Sequence, residues 1–277
     1  MELSNVLLIA RKEFRDALRN RWVLLYTICF TILMLVMARV SISSVPGTSA
    51  AVFASFGRTV AGMINLMLLF VPLMALTTSA GSIASERERG TLSYLLAQPL
   101  HRIEVLMGKF LGLWVALSLI LAMSFGVSAI FIGSGSAVVG PLLRLFGFTD
   151  LLAGAMLSLG LLISSLCRRV SVATGTALFT WLALVFLSDL GLMGSVLIFR
   201  LRIQDLFYIA SANPMQAFKM SVLGSLHTSL DVLGPAGLFA TQTFGPLLPW
   251  LLGGVLIAWI ILPLLTAWTL FAWRGEA

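Results

Sequence analysis

Charged residues are scarce in this sequence, and hydrophobic residues take their place. Only 10% of the 277 residues are charged and 59% are hydrophobic, which gives a mean hydropathy of +1.03. Soluble domains are about 25% charged and about 45–50% apolar. A soluble fold of this length could not cover so much apolar surface, so we expect an all-α integral membrane protein.

Cysteine and histidine are also rare, with two residues of each type. Cys29 and Cys167 form no CxxC pair, which argues against a disulfide framework and against a zinc site. His101 and His227 lie far apart in the sequence, so neither a metal cluster nor a Ser/His catalytic pair is expected. The phosphate-loop pattern GxxxxGK(S/T) is absent from the sequence. We therefore expect a non-catalytic chain that binds neither ATP nor another cofactor itself.

The net charge of +7 does not predict nucleic-acid binding. The basic residues form short clusters between apolar runs, as the positive-inside bias of membrane proteins requires, and not a polar face for phosphates. With a cytoplasmic N-terminus, twelve of the 18 basic residues lie inside and six outside. This distribution predicts that both termini are cytoplasmic and that the number of spans is even. The twelve inner residues are Arg11, Lys12, Arg15, Arg19, Arg21, Arg87, Arg89, Arg102, Lys109, Arg168, Arg169 and Arg274.

Six apolar runs are long enough, or nearly so, to cross the bilayer. A hydrocarbon core about 30 Å thick needs roughly 20 residues of helix. Before the first run, residues 2–20 carry an apolar stripe opposite a basic face, which predicts an amphipathic helix in the membrane interface. We expect one transmembrane domain over 1–277, with spans at 22–40, 59–83, 110–132, 149–166, 172–190 and 249–272.

The long segment 191–248 is expected on the outer side of the membrane. Glycine and proline break its apolar part at 232–248. Such breaks predict short helices on the outer membrane surface, partly re-entrant. Long ordered loops usually have a function, so this segment is the candidate surface for an outer partner.

The loop 84–109 between the second and third spans combines charges with an apolar patch. Ser85 and Glu88 have the spacing of a capping box, which predicts that a helix begins there. Glu86 and Arg89 can pair one turn apart, and Pro99 ends the helix. The loop is suited to dock a cytoplasmic partner, but a solvated loop whose charges only set topology explains it equally well. The apolar patch consists of Leu92, Leu95 and Leu96.

Five methionines are weak candidates for a metal path. Met63, Met67 and Met74 lie on one face of the second span, and Met215 and Met220 lie in the outer segment. Methionine thioethers are soft ligands that suit Cu(I). Methionine also fills irregular cores without any ligand role, and we favour this packing interpretation.

Two further patterns concern packing and polarity within the spans. Gly108 with Gly112, and Gly160 with Ser164, have the four-residue spacing that lets helices approach closely. This spacing more often indicates packing within a bundle than a dimer seam. Asp150 is expected at the interface near the outer end of its span, where a carboxylate costs less than in the hydrocarbon.

The string Glu86-Arg-Glu-Arg-Gly-Thr91, directly after a long second span, resembles the motif of the type-2 ABC permease family. Pro99, the Gly108-Lys109 entry to the third span, the amphipathic N-terminal helix and the six spans fit the family too. The resemblance implies that the loop forms a coupling helix docked on a separate ATP-hydrolysing subunit. It implies an interface role for Glu86, Arg87, Glu88, Arg89, Gly90, Thr91, Leu92, Tyr94 and Leu95.

Within that family the chain is similar to permeases that serve the maturation of nitrous oxide reductase. The similarity rests on residues 212–219, an Asn-Pro-x-x-Ala-Phe-basic string. It implies a homodimer in the bacterial inner membrane, a partner ATPase that binds ATP and Mg²⁺, and a periplasmic accessory protein. It also implies a role in assembling a copper-sulfur centre.

Two other functional classes compete with this interpretation. A secondary transporter or channel would carry acidic residues in mid-span and broken helices in matched halves of the chain, and neither is evident. An intramembrane protease would need a catalytic pair inside the bundle, which the positions of the two histidines make improbable.

Overall fold

The computed structural model describes residues 3–43, 49–91, 101–132, 136–198, 203–225 and 243–273. Its regular elements in these ranges are helices, including a single 3₁₀ turn at Gly245–Leu247. We number the nine α-helices in chain order. They are α1 (Leu3–Arg19), α2 (Arg21–Ser43), α3 (Ser49–Glu88), α4 (Arg102–Ile132), α5 (Ser136–Leu166), α6 (Val170–Ile198), α7 (Ile203–Ala212), α8 (Pro214–Ser225) and α9 (Leu248–Trp273).

Five helices are long and apolar enough to cross a membrane. Helices α1 and α2 supply up to a sixth crossing, since together they pass the same test but are bent by 66°. The bend lies at Asn20, whose side-chain oxygen accepts a hydrogen bond from the Trp22 amide at 3.0 Å and so caps α2. The five are Ala61–Glu88, Arg102–Ile130, Val139–Leu166, Val170–Leu187 and Leu248–Phe271. An all-helical membrane fold is therefore confirmed for the described residues, with five to six candidate spans.

Several helices extend beyond the predicted spans. Helix α3 has 40 residues, where the apolar run predicts 59–83. Helix α4 begins at Arg102 instead of residue 110, and α5 begins at Ser136 instead of residue 149. The reason is physical, because hydropathy reports only the part of a helix that lies in lipid. For α9 the predicted span, 249–272, is close to the observed helix bounds, Leu248–Trp273.

Helix α5 is the centre of the bundle and packs against α3, α4, α8 and α9. In its most apolar window 61% of the residues are buried, compared with 11% for α6 at the periphery. The contact between α3 and α5 is close, because a Cβ atom on Gly160 would lie 2.9 Å from the Leu76 carbonyl oxygen. The Ser164 hydroxyl accepts hydrogen bonds from the amides of Ile83 and Ala84 at 3.0 and 2.9 Å.

The second small-residue pair seats α1 against α4. A Cβ atom on Gly108 would lie 2.7 Å from the Ile9 side chain, and one on Gly112 would lie 2.8 Å from that of Glu13. Both glycine patterns thus lie at contacts within the bundle. The opposite side of α1 exposes Leu3, Leu7 and Leu8, each at least 66% accessible. A helix that packs on one side and exposes leucines on another suits the predicted interfacial position.

The segment 191–248 is described in part, and its expected position on the outer side of the membrane stays a prediction. Helix α6 continues to Ile198, and α7 and α8 form a helical hairpin. Ten of the twelve residues of α8 are buried, against α9 and α5. Helix α8 therefore belongs to the core of the bundle, because neighbouring helices cover its side chains, whereas Tyr208 and Ile209 of α7 are exposed. Most of the Gly- and Pro-broken stretch 232–248 lies outside the described residues.

Candidate functional site at the charged end of the bundle

The ion pairs of the described chain lie at one end of the bundle, where α1, the end of α3 and the start of α4 meet. We call this region the charged end. The Lys109 ammonium lies 2.7 Å from Glu13 Oε1 and 2.9 Å from Glu86 Oε1. Lys12 extends the cluster, with its ammonium 3.1 Å from Glu86 Oε1 and 3.6 Å from Glu13 Oε1. Two lysines and two carboxylates from three helices thus balance one another.

Lys109 is the most demanding member of this cluster, because its side chain is only 1% accessible. A buried ammonium is tolerated only where carboxylates and other acceptors compensate for its lost hydration. Lys12 lies nearer the surface. Burial alone would lower the pKa of Lys12, but attraction to Glu86 and Glu13 prevails and the pKa is raised above its ordinary value. Lys12 therefore stays charged at neutral pH.

Helix α3 ends beside this cluster, and its end corrects the predicted capping box. The helix runs through Ser85 to Glu88, and the Ser85 hydroxyl donates to the Ser82 carbonyl. Gly90 ends the helix with φ of +72°, a left-handed conformation that favours glycine. The prediction that a helix starts at Ser85 is therefore wrong, because the glycine two residues after Glu88 makes this stretch a C-terminus.

The motif residues that follow Glu86 reach the turn between α5 and α6. The Arg87 guanidinium donates to the carbonyls of Ser165 and Cys167 at 3.1 and 3.0 Å. Glu88 accepts a hydrogen bond from the Val170 amide at 2.8 Å, so it caps the first turn of α6. Carboxylates stabilise a helix N-terminus through its dipole. The predicted Glu86–Arg89 pair is not formed, since Glu86 is bound by the two lysines.

Helices α4 and α9 are tied to the same end. Buried Glu104 accepts hydrogen bonds from the His101 amide at 3.3 Å and from the Asn5 side chain at 3.5 Å. Arg102 donates to the Phe271 carbonyl at 2.7 Å and lies 6.0 Å from the centre of its ring. The charged end therefore connects α1, α3, α4, α6 and α9 through side chains, and a displacement there would reach most of the bundle.

The nine residues predicted at the coupling interface fall into three groups. Glu86 and Arg87 are turned toward neighbouring helices, and Glu88 reaches α6. Three residues of the turn are exposed: Arg89, Gly90 and Thr91. Three further residues lie outside the described residues: Leu92, Tyr94 and Leu95. The exposed group is the part of the motif that can meet another protein.

Sequence reasoning missed the inner partners of the motif, Lys12, Glu13 and Lys109. The sequence uses of Lys109 are topology and the Gly108-Lys109 entry to the third span, and those of Lys12 are topology and a basic face; neither residue is predicted to bind Glu86. The available signal was Lys109 itself, since a lysine that follows a glycine at the start of an apolar run needs a nearby carboxylate.

The five methionines are buried side chains of the core. Met63, Met67 and Met74 line the inner face of α3, and the Thr149 hydroxyl lies 3.3 Å from the sulfur of Met67. Met215 and Met220 lie on α8. No group of three or more His, Cys, Asp or Glu residues that could hold a metal occurs within the described part of the chain.

Asp150 lies near the middle of helix α5, although it is close to the start of the predicted span. It is the fifteenth of the 31 residues of α5. Its half-buried carboxylate accepts a hydrogen bond from Ser118 of α4. The helix begins 13 residues before the predicted span 149–166, so the interfacial position expected for Asp150 stays a prediction.

Comparison with known proteins gives a consistent result. A family described as ABC-2 family transporter protein matches residues 7–275. A probable ABC transporter permease protein NosY of Pseudomonas aeruginosa is 36% identical over 191 residues, which cover 67% of this chain and 68% of that protein. A protein of the same name from Stutzerimonas stutzeri is 30% identical over 257 residues, which cover 90% and 92%.

Proposed function

Since this chain belongs to the ABC-2 family of transporter proteins, we propose that it couples ATP hydrolysis by a separate subunit to motion across the inner membrane. The chain is the permease, and the ATPase docks at the charged end. ATP and Mg²⁺ bind to the ATPase. The permease itself is non-catalytic, because its sequence lacks a phosphate loop.

One observation carries this proposal, namely the set of contacts made by Glu86, Arg87 and Glu88. These three consecutive residues bind α1, α4 and the α5–α6 turn, while the next three residues face solvent. A protein that pushed on Arg89, Gly90 and Thr91 would therefore act directly on the helices behind them. A loop that served only as a topology determinant would not need such contacts.

The orientation follows from charge. We infer that the charged end is cytoplasmic, because it gathers Lys12, Lys109, Arg87 and Arg102 beside the basic α5–α6 turn, and the positive-inside rule places such clusters in the cytoplasm. Arg168 and Arg169 in the α5–α6 turn are exposed on this end. An ATPase that uses cytoplasmic ATP can reach the motif only in this orientation.

The biological role is proposed from the relatives. Both are named as probable NosY permeases, and we infer that this chain serves the maturation of nitrous oxide reductase by helping to assemble its copper-sulfur centre. It would act as a homodimer together with a periplasmic accessory protein. The buried methionines support packing more than a copper path, because all five are enclosed in the apolar core.

Co-purification with the co-expressed ATPase tests the docking site. Arg89→Glu changes an exposed charge in the motif, and we expect it to abolish the complex. Glu86→Arg would be a poor test, because it would place a third cation beside Lys12 and Lys109 and disturb the fold. The matched control is Arg15→Glu, an exposed charge on α1 at the same end.

Two results would count against the proposal. If Arg89→Glu retained the ATPase and its ATP-dependent function, the loop would be only a topology determinant. If the unaltered chain purified without an ATPase and still moved solute in vesicles without ATP, a secondary transporter or channel would be the better assignment.

A further inference from the structure

We propose, building on the proposed function, that α6 is a transmission rod from the ATPase-docking motif to the α7–α8 hairpin. Two contacts define the rod, the Glu88–Val170 hydrogen bond at its charged end and the Leu184–Asn213 hydrogen bond farther along. Glu88 and Asn213 act as positioning residues at the two ends.

The input contact is made at the first turn of α6. Glu88 accepts the Val170 amide at 2.8 Å, and Arg87 holds the preceding turn through the Ser165 and Cys167 carbonyls. These bonds fix the N-terminus of α6 to the residues next to the exposed docking turn. A displacement of that turn is therefore imposed on the start of α6.

The rod itself is a continuous helix with few contacts inside its own protomer. Helix α6 has 29 residues without a proline, and only 11% of its most apolar window is buried. It packs mainly along α3. An unbroken helix with one main neighbour in its protomer can slide or rotate as a unit, as in shear motions of packed helices. From Val170 to Leu184 it spans about 21 Å at 1.5 Å per residue.

The output contact is made at the tip of the hairpin. The Asn213 amide group donates to the Leu184 carbonyl at 3.0 Å, while its oxygen accepts the Met215 amide at 3.0 Å. The Asn213 side chain thus caps α8 and is hydrogen-bonded to α6 at the same time. Helix α9 also contacts the tip, because the Trp259 indole donates a hydrogen bond to the Ala212 carbonyl at 2.9 Å.

The other end of α8 is anchored to the centre of the bundle. The Arg144 guanidinium of α5 donates to the Ser225 carbonyl at 2.7 Å. A hairpin held by α5 at one end and by α6 at its tip converts movement of α6 into a tilt. Tyr208 and Ile209 on α7 are about 60% exposed and would report that tilt at the protein surface.

The test is a distance measurement by pulsed electron paramagnetic resonance on the full chain with its co-expressed ATPase in nanodiscs. The native thiols are removed by Cys29→Ser and Cys167→Ser. Spin labels are placed at exposed Val172 on α6, Tyr208 on α7 and Leu265 on α9. We expect MgATP with vanadate to shift both distances to Leu265, while the Val172–Tyr208 distance is unchanged.

The deciding variant is Asn213→Ser. Serine can still cap the Met215 amide but is too short to reach the Leu184 carbonyl. We expect loss of the nucleotide-dependent shift at Tyr208, with the shift at Val172, the ATPase complex and its basal activity retained. The matched control is Trp259→Phe, which removes the hydrogen bond between α9 and the tip. It should leave the shifts at Val172 and Tyr208 intact.

The outcomes separate the rod from the proposed function. An undiminished Tyr208 shift in Asn213→Ser would overturn the rod. Equal loss of the shift in Asn213→Ser and Trp259→Phe would also overturn it, because any contact that fixes the tip would then matter as much as the contact with α6. A complex without any shift overturns the rod alone. Because the labelled chain without Asn213→Ser already tests whether α6 and the hairpin move together, a folding defect in that variant does not remove the test.

Discussion

At the scale of single residues, Lys109 is a buried cation that depends on carboxylate partners. Its ammonium is buried between Glu13 and Glu86, and loss of one partner from such a group leaves buried charge uncompensated. We expect Lys109→Met to destabilise the protein by about 3–5 kcal/mol, seen as a lower melting temperature in detergent. Lys12→Met is the control, and with a 54% accessible side chain it should cost no more than about 1 kcal/mol.

A compensating variant distinguishes charge from packing at this position. If the charges are the cause, Glu13→Gln and Glu86→Gln added to Lys109→Met should recover much of the lost melting temperature. Recovery would fail if the lysine acted mainly as a space-filling side chain. An unchanged melting temperature in Lys109→Met alone would show that the cluster contributes nothing to stability.

Replacing Asp150 is expected to raise thermal stability, whereas replacing Lys109 is expected to lower it. An ionised carboxylate costs up to about 2.5–3.5 kcal/mol on insertion scales, the full amount being reached at the bilayer centre. The half-buried Asp150 bears part of this cost, whereas Asn would keep an acceptor for the Ser118 hydroxyl. We expect Asp150→Asn to raise thermal stability, while Asp16→Asn on exposed α1 leaves it unchanged. Lower stability in Asp150→Asn would mean that the carboxylate has a stabilising partner in the membrane.

The residue scale also marks where sequence reasoning stops. The motif at 86–91 could be found in the sequence, but the partners of Glu86 could not, because Lys12 is 74 residues away along the chain. Local rules paired Glu86 with Arg89 and Ser85 with Glu88. Tertiary packing overrides such local pairings when a buried cation needs the same carboxylate.

At the scale of helices, close contact depends on a few glycines. A Cβ atom on Gly160 would meet the Leu76 carbonyl and the Ser79 side chain, whereas one on Gly175 would meet open space. We expect Gly160→Ala to destabilise the protein by about 1–3 kcal/mol through overpacking. The matched variant Gly175→Ala should be neutral or stabilise it by up to about 1 kcal/mol through helix propensity.

Thermal melts of the two alanine variants, with the same detergent and protein concentration, provide the measurement. Equal melting temperatures would show that α3 and α5 can separate without cost and that the spacing of Gly160 and Ser164 has no packing role. Sequence alone predicted that this spacing brings helices together, but not which helix is the neighbour. That choice depends on the whole bundle.

The helical hairpin was harder to predict than the spans. A span announces itself because lipid requires about 20 apolar residues in a row. Helices α7 and α8 have only 10 and 12 residues, and α8 is covered by α5 and α9 instead of lipid. A short apolar helix of this kind reads the same in sequence whether it lies on a surface or inside a bundle.

At the scale of the whole molecule, the decisive quantity is orientation. Single cysteines at Arg89 and Arg168 should react with a membrane-impermeant maleimide only from the cytoplasmic side in a chain whose native thiols are replaced. A cysteine at exposed Tyr208 should not react from that side. Intact and inside-out vesicles give the comparison, and labelling of Arg89Cys from the outer side would invert the proposed topology.

Composition and the distribution of basic residues thus predicted a helical membrane fold, and the local sequence revealed the motif. Both follow from the lipid environment and from residues that are close together in the chain. The arrangement of helices around α5 did not follow, since six apolar helices of similar composition can pack in many orders. Residues such as Ser164, which bonds two amides of α3, select one order after the chain has folded.

The charge cluster of Lys109 also sets an order for biosynthesis. Its members Lys12, Glu13, Glu86 and Lys109 all lie within the first 109 residues. The growing chain can neutralise them as soon as the start of α4 has left the ribosome, before α5 has emerged. The cap on α6 and the grip of Asn213 come later. The N-terminal part can therefore form its ion pairs early and act as a first folding unit. The central helix and the hairpin then pack onto it.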